Sequence, residues 1–329
     1  MKVTISDIAH LAGVAKSTVS RYLNGGYVSE ETGQRINKII KETNYEPNTF
    51  AQSLKAKRTH LIGVIVPRLN SYAVCLLLKG IDEALRENGF QMLISNTDQK
   101  VDREIESLYS FANQKVAGII LVATTLTEAH LKSISEINTP VLGVGQEHEM
   151  IPSIAYDDEQ AGYEVGKYVL DCGHRNLIYL GVSETDIAVG LKRKQGFKRA
   201  IHEVVDCQVT YYKSSFLMED AQRLFSNIIQ EGGFQNKTAV VCATDNIALG
   251  IMKAARKHGM QVPQDISITG FGDYEVADLI GLTTVRYPYQ ETGSLTAKKI
   301  ISLSEGKKHE GGVNQFCQLI ERESVANIP

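Results

Sequence analysis

The chain has 329 residues, 43% hydrophobic and 22% charged, with a formal net charge of −3. At ~150 residues per domain this gives roughly two domains and room for a small third unit, and the balance excludes a disordered or fibrous chain. Five Cys, at 75, 172, 207, 242 and 317, are too scattered for a disulfide framework or a Cys-x-x-Cys metal pair. No apolar run nears the ~18 residues of a membrane helix. The opening residues, broken by Asp7 and His10, do not read as a signal peptide, so a reduced cytoplasmic compartment is expected.

The first 60 residues carry nine Lys or Arg against five Asp or Glu, a net of +4; the remainder has 26 against 33, a net of −7. A basic block on an acidic body suggests that only the N-terminus meets an anionic partner. That block reads as short helices. Ser6 or Thr4 caps a first, from Asp7 to Leu11, which stops at Gly13; a second runs from Lys16 to Leu23 and ends at Asn24-Gly25-Gly26. A third, Ser29 to Thr43, has Glu30 and Glu31 in its first turn, which suits the helix dipole. Ile8, Ala9, Val19 and Ile36 are among the apolar positions that form a three-helix core. Pro47 interrupts, and Asn48 caps a fourth short segment, Thr49 to Lys57.

From Leu61 the rhythm becomes strand–helix–strand. Buried parallel strands are expected at 62–67, 91–96, 117–123 and 140–144, with helices of ~10–16 residues between them. The pattern then repeats from SIAYD (153–157) through 177–182, 209–212, 239–244, 266–271 and 283–287. This alternation implies doubly wound parallel sheets, and the series is too long for one. Two α/β lobes follow, crossed near 157–162 and again near the C-terminus, with ligands at the carboxyl ends of the strands between them.

ISDIAHLAGVAKSTVSRYLNGG (5–26) has the helix-turn-helix form, with Gly13 at the turn. Val19 and Leu23 face inward, while Lys16, Ser17, Ser20 and Arg21 share the opposite face and suit a major groove. Lys16 and Arg21 supply charge and donors; Ser17, Thr18 and Ser20 are short enough to approach phosphates or base edges. The segment GVAKSTVSRYLNG resembles the signature of the LacI/GalR repressors. Further likeness follows in order: YEPNTFAQSLKAKRTHLIGVIVP (45–67), GHRNLIYLGV (173–182), CATDNIALG (242–250) and ISITGFGD (266–273). Ala15 departs from the pattern, since many relatives place there a Ser that caps the recognition helix. The resemblance implies an N-terminal all-α helix-turn-helix with a hinge helix, and a periplasmic-binding-protein-like core of two doubly wound lobes. It implies domains at 1–46, 47–60 and 61–329, double-stranded operator DNA as partner, and DNA contacts that include Ser6, Asn24 and Asn48.

The hinge, Asn48 to Lys57, is too short for a stable isolated helix. Ala51, Leu54 and Lys55 share one face, and the resemblance assigns them to the minor groove, with Leu54 as the apolar wedge. In the core, residues just after strand ends are the effector candidates: Arg68, Asn70 and Tyr72; Gln146; Asp186 to Arg193; Asp245; and Asp273. Carboxylates, amides and an Arg are what sugar hydroxyls need, and an aromatic stacks on a ring face. The family likeness gives Arg193 and Asp245 to those hydroxyls. Arg68 is less usual, since most relatives have an acidic residue or Asn there. PRLNS resembles instead the trehalose and sucrose repressors of Gram-positive bacteria, whose inducers arrive phosphorylated, and an Arg at a strand's end makes a bidentate phosphate contact.

An enzyme on the same scaffold is disfavoured. Gly143-Val-Gly145 and Gly270-Phe-Gly272 do not continue to G-x-G-x-x-G, and no G-x-x-x-x-G-K-[ST], H-E-x-x-H or G-x-S-x-G occurs. A transport-type binding protein would need export, and a corepressor-type regulator has the same sequence features as an induced repressor. The expectation is a homodimeric, sugar-responsive repressor of a carbohydrate operon, with sucrose favoured, that uses no cofactor, metal or membrane. A dimer is favoured because the chain stops soon after the strand at 283–287, without the helical tail of tetrameric relatives.

Overall fold

The computed structural model describes residues 3–23, 26–45, 59–236, 238–307 and 312–328. The chain divides into two compact units, Met1–Thr59 and His60–Pro329.

In the first unit, α1 (Ile5–Leu11), α2 (Lys16–Leu23) and α3 (Glu30–Thr43) enclose Ile8, Ala9, Ala12, Val19 and Ile36. Thr4, rather than Ser6, caps α1. Its amide donates to Asp7 Oδ2 at 2.8 Å and its hydroxyl oxygen accepts the Asp7 amide at 3.4 Å, so two end groups of the helix are satisfied reciprocally. Gly13 has φ +62° with open space around it, so the turn needs glycine for handedness and not for room. The hinge segment, with Asn48, Ala51, Leu54 and Lys55, lies outside the described residues, as does Asn24.

The second unit opens with β1 (Leu61–Val66), α4 (Tyr72–Glu87), β2 (Gln91–Asn96), α5 (Val101–Asn113), β3 (Gly118–Leu121), α6 (Glu128–Glu136), β4 (Val141–Val144) and β5 (Ser153–Tyr156). After α7 (Asp158–Asp171) come β6 (Asn176–Gly181), a π-turn (Ile187–Lys192) continuous with α8 (Arg193–His202), β7 (Gln208–Lys213) and α9 (Met218–Gln230). Then follow β8 (Ala239–Cys242), α10 (Asp245–Lys257), β9 (Ser267–Thr269), α11 (Glu275–Leu279), β10 (Thr284–Arg286), α12 (Tyr289–Ser304), β11 (Val313–Gln315) and β12 (Gln318–Ile320).

Two parallel sheets result, in the orders β11-β5-β4-β3-β1-β2 and β7-β6-β8-β9, with an antiparallel pair β10-β12. Parallel strands must be covered on both faces, and β1, β3, β4, β5 and β8 are almost wholly buried. SIAYD belongs to the first sheet, between β4 and β11, and does not open the second. The strand at 283–287 is not the last: β11 returns to the first lobe's sheet and β12 pairs with β10, so the chain crosses between lobes three times. In the first lobe α12 packs on α4 so closely that a Cβ at Gly80 would fall 1.9 Å from the Gln290 carbonyl oxygen.

Strand order decides where a ligand belongs. In the first sheet the chain leaves β1 for β2 on one side and then crosses to β3 on the other; in the second it leaves β6 for β7 and then β8. The crevices at these switch points lie after β1 and β3, and after β6 and β8. Arg68, Thr124, Asp186 and Thr244 occupy those positions.

Candidate functional site

On the helical unit, Lys16, Ser17 and Arg21 of α2 are exposed, Thr18 and Ser20 are half-buried, and Val19 is fully buried. The surface of α2 expected to face DNA is therefore the surface presented to solvent. Ala15 supplies no side-chain cap, but its carbonyl accepts the amides of Thr18 and Val19 at 2.9 and 3.3 Å, so the helix starts without one. The first turn of α2 holds no acidic residue, and no carboxylate there opposes an approaching phosphate. Ser6 is exposed on α1.

In the two-lobed unit, Arg68 and Asn70 from the first lobe line one small void with Phe216, Leu217, Thr244, Asn246 and Tyr274 from the second. The Arg68 guanidinium carbon stands 3.7 Å above the centre of the Phe216 ring. Its Nε is buried without a hydrogen-bond partner, and Arg68 makes no ion pair among the described residues. Burial lowers the guanidinium from its ordinary value, opposed by the nearby Asp186 carboxylate and Tyr274. A half-buried cation beside an aromatic face with a buried idle donor is stabilised by an anion that joins it. The void measures only about 30 Å³, room for little more than one water. Any ligand larger than a water would have to part Arg68 from Phe216 to enter it.

Tyr72, the first residue of α4, packs on Tyr274 with ring centroids 4.4 Å apart and planes tilted by 41°. Asp245 at the start of α10 is fully buried; its carboxylate accepts the Tyr274 amide at 2.9 Å and the Thr284 hydroxyl at 2.6 Å. Burial pushes this carboxyl up to about 6, against the pull of those two hydrogen bonds. Asp186 is buried as well, and its carboxylate caps the π-turn by accepting the Val189 amide at 2.9 Å. Desolvation raises it too.

Arg193 is buried and held by two hydrogen bonds. Its Nε donates to Asp158 Oδ1 at 2.7 Å and its Nη1 to the Ala243 carbonyl at 2.8 Å, while the guanidinium carbon lies 4.8 Å from the Tyr287 ring centre. Tyr287 also donates to Asp158 Oδ1, at 2.9 Å. Gln146 is buried and donates to the Thr124 carbonyl at 3.1 Å; it does not line the void. Asp273, with φ +49°, gives its two oxygens to Arg286 at 2.6 Å and Arg322 at 2.8 Å, and it lies off the void as well. Of the seven effector candidates, Arg68 and Asn70 line the void, and Tyr72 and Asp245 reach it through Tyr274. Phe216, Asn246 and Tyr274 were not singled out from sequence. Extending the strand at 209–212 by one residue, to Lys213, would have drawn attention to Phe216.

A helical DNA-binding head on a two-lobed binding-protein-like core defines a ligand-responsive DNA-binding regulator, and comparison with known proteins agrees. Residues 4–48 match the family described as bacterial regulatory proteins, lacI family, and residues 167–325 match the periplasmic binding protein-like domain. The sucrose operon repressor of Staphylococcus xylosus is 40% identical over 298 residues, covering 90% of this chain and 92% of that one. Catabolite control protein A of Priestia megaterium is 27% identical over 98% of both. The lac repressor dimer bound to operator and the anti-inducer ONPF has the same fold, with TM-score 0.90 at 24% identity over 99% of this chain and 100% of that one. The chain belongs to the LacI family: it is a DNA-binding transcriptional repressor and not an enzyme. No described helix is long and apolar enough to cross a membrane.

Proposed function

We propose that this repressor is a cytoplasmic homodimer that silences a sucrose-utilisation operon and is released by a phosphorylated disaccharide bound between its lobes. The observation that carries the reading is Arg68, a cleft arginine with a buried, unpartnered Nε and no ion pair among the described residues. The likeness to the sucrose operon repressor supports the choice of operon. In this reading residues 1–46 bind DNA, 47–60 form the hinge, and 61–329 bind effector and dimerise. Lys16, Ser17, Thr18, Ser20 and Arg21 enter the major groove of each half-site; Ser6, Asn24 and Asn48 contact the backbone; Ala51, Leu54 and Lys55 meet the minor groove. Arg68 takes the phosphate, Asn70 and Tyr72 the sugar rings. Asp245 accepts hydroxyl donors, and Arg193, Gln146 and Asp273 hold the walls. Separating Arg68 from Phe216 re-angles the lobes and disfavours the paired hinges, a coupling that needs only ~1–3 kcal/mol.

The test is fluorescence anisotropy on a labelled pseudo-palindromic operator, titrated with sucrose, trehalose and their 6-phosphates. Release by sucrose 6-phosphate at concentrations where sucrose has no effect is expected. Release by free sucrose alone overturns the phosphate assignment, and release by trehalose 6-phosphate alone overturns the choice of operon. Leu54→Ala should lose operator affinity and keep effector binding; loss of both would mean that the hinge is misplaced.

A further inference from the structure

A second cavity, which shares no lining residue with the void at Arg68, lies at the carboxyl ends of β6 and β7 against the start of α8. It measures about 360 Å³, roughly twelve times the void at Arg68, and falls within the ~300–1,000 Å³ of small-molecule sites. Sheet register builds it. Tyr179 is paired with Tyr211, and Gly181 with Lys213, so each pair points to one face. Gly181 contributes no side chain, and a hollow remains between the tyrosines and Lys213. The edge position of β7 leaves that hollow open to solvent.

Its chemistry is specific. Tyr179 lines the cavity and is 1% exposed, and its buried hydroxyl has no hydrogen-bond partner. Lys194 and Lys198 place their ammonium groups 5.1 and 5.4 Å from the centre of the Tyr211 ring. A single carboxylate, Glu184, answers Lys194 at 2.8 Å, while Lys198 and Lys213 also bear on it. Three ammonium groups around one carboxylate leave the mouth positive by two charges. Aromatic faces suit a pyranose ring, the idle Tyr179 hydroxyl suits a hydroxyl group of it, and surplus ammonium suits a phosphate.

We propose that this cavity is a second effector site, for a phosphorylated monosaccharide, separate from the cleft. Its place in the chain gives it a route to the cleft. Glu184 and Lys194 line this cavity, and on the same segment Asp186 caps the π-turn and Arg193 holds Asp158. A phosphate that draws Lys194 from Glu184 pulls on both ends of the π-turn, a feature often found at functional positions. The site does not depend on what fills the cleft.

The test is calorimetric titration of the full chain with glucose 6-phosphate, alongside glucose and inorganic phosphate. Wild type and Arg68→Met should bind glucose 6-phosphate equally, and Lys194→Gln/Lys213→Ala should bind it at least about ten-fold more weakly, as expected for lost charge-assisted contacts. Tyr179→Phe keeps the packing and removes only the idle hydroxyl; it should melt no lower than wild type while weakening glucose 6-phosphate several-fold. Unchanged affinity in the lysine and Tyr179 variants overturns the proposal. Abolition by Arg68→Met assigns the binding to the cleft and also overturns it. Inorganic phosphate binding as tightly as glucose 6-phosphate rejects sugar recognition, and no binding at millimolar concentrations rejects the site.

Discussion

The two halves of the cleft are built on opposite principles. The second lobe brings Arg193, Asp158, Tyr287 and the Ala243 carbonyl into a closed network in which the guanidinium has direct partners at 2.7 and 2.8 Å. The first lobe brings a single arginine, Arg68, resting on a ring of the opposite lobe with its Nε idle. Two arginines, Arg68 half-buried and Arg193 buried, thus differ in what they still offer. A satisfied network fixes the shape of its wall, while an unsatisfied donor is stabilised only by something arriving from outside. Specificity for an anion is expected from the first-lobe half and rigidity from the second.

The largest effect should come from breaking the satisfied half. Arg193→Met leaves Asp158, 2% exposed, as a buried carboxylate with only the Tyr287 hydroxyl, and removing one partner of such a pair costs roughly 3–5 kcal/mol. Urea melts should show that loss with or without effector. A loss below about 1 kcal/mol would mean that water reaches Asp158 and that the two halves differ less than their geometry implies.

Asp245 is the second-lobe group whose charge state is in play. Folded, it holds its proton up to about 6, against 3.8 for an ordinary aspartate. Between those values the folded chain binds more protons than the unfolded one, so stability falls as pH rises through that window. The loss attributable to this group at pH 7, relative to pH 4, is on the order of 2–3 kcal/mol. Asp245→Asn retains one acceptor for the Tyr274 amide and cannot ionise; it should be more stable than wild type at pH 7 and lack this slope. Melts at pH 5, 6 and 7 that run parallel for both proteins would show Asp245 ionised throughout.

How much of this was legible in sequence follows from how local each signal is. The helix-turn-helix depends on apolar spacing and one glycine within 22 residues, and the long strands of β-branched residues announce themselves. Strands β11 and β12 are three residues each, polar or half-buried, with no period to detect. Asp273 stands at a strand end, where a ligand residue is expected, but Arg322, 49 residues on, folds back to take its carboxylate. The closing of Arg68 on Phe216 joins residues 148 positions apart, on different lobes. Strand-end logic found half of that contact, because it marks where side chains emerge and not which of them meet.

Arg68→Met is the direct probe of the unsatisfied half. Methionine fills much of the same space against Phe216 without the idle donor, so the melting midpoint should stay within a degree or two or rise slightly. Affinity for a phosphorylated sugar should fall by about ten- to a hundred-fold, the ~1.5–3 kcal/mol of a hydrogen bond to a charged group. A drop in stability comparable to that of Arg193→Met, without any change in effector affinity, would reverse the assignment of roles.

The smallest effect is expected where the two halves are tied together at the surface. Lys192, at the end of the π-turn, reaches Glu147 of the first lobe at 3.4 Å, and both side chains are roughly a third exposed or more. Such a pair contributes at most ~1 kcal/mol and is screened by salt. The Ile187 amide, meanwhile, donates to the Thr124 carbonyl across the same gap at 3.1 Å, and no side-chain change removes it. Lys192→Ala should therefore leave the melting midpoint within about one degree and shift effector affinity by no more than about three-fold. A ten-fold shift that disappears at high salt would place the restraint on lobe movement in this bridge. Arg68 on Phe216 would then be its consequence, and the contrast between the two arginines would no longer explain how effector binding reaches the hinge.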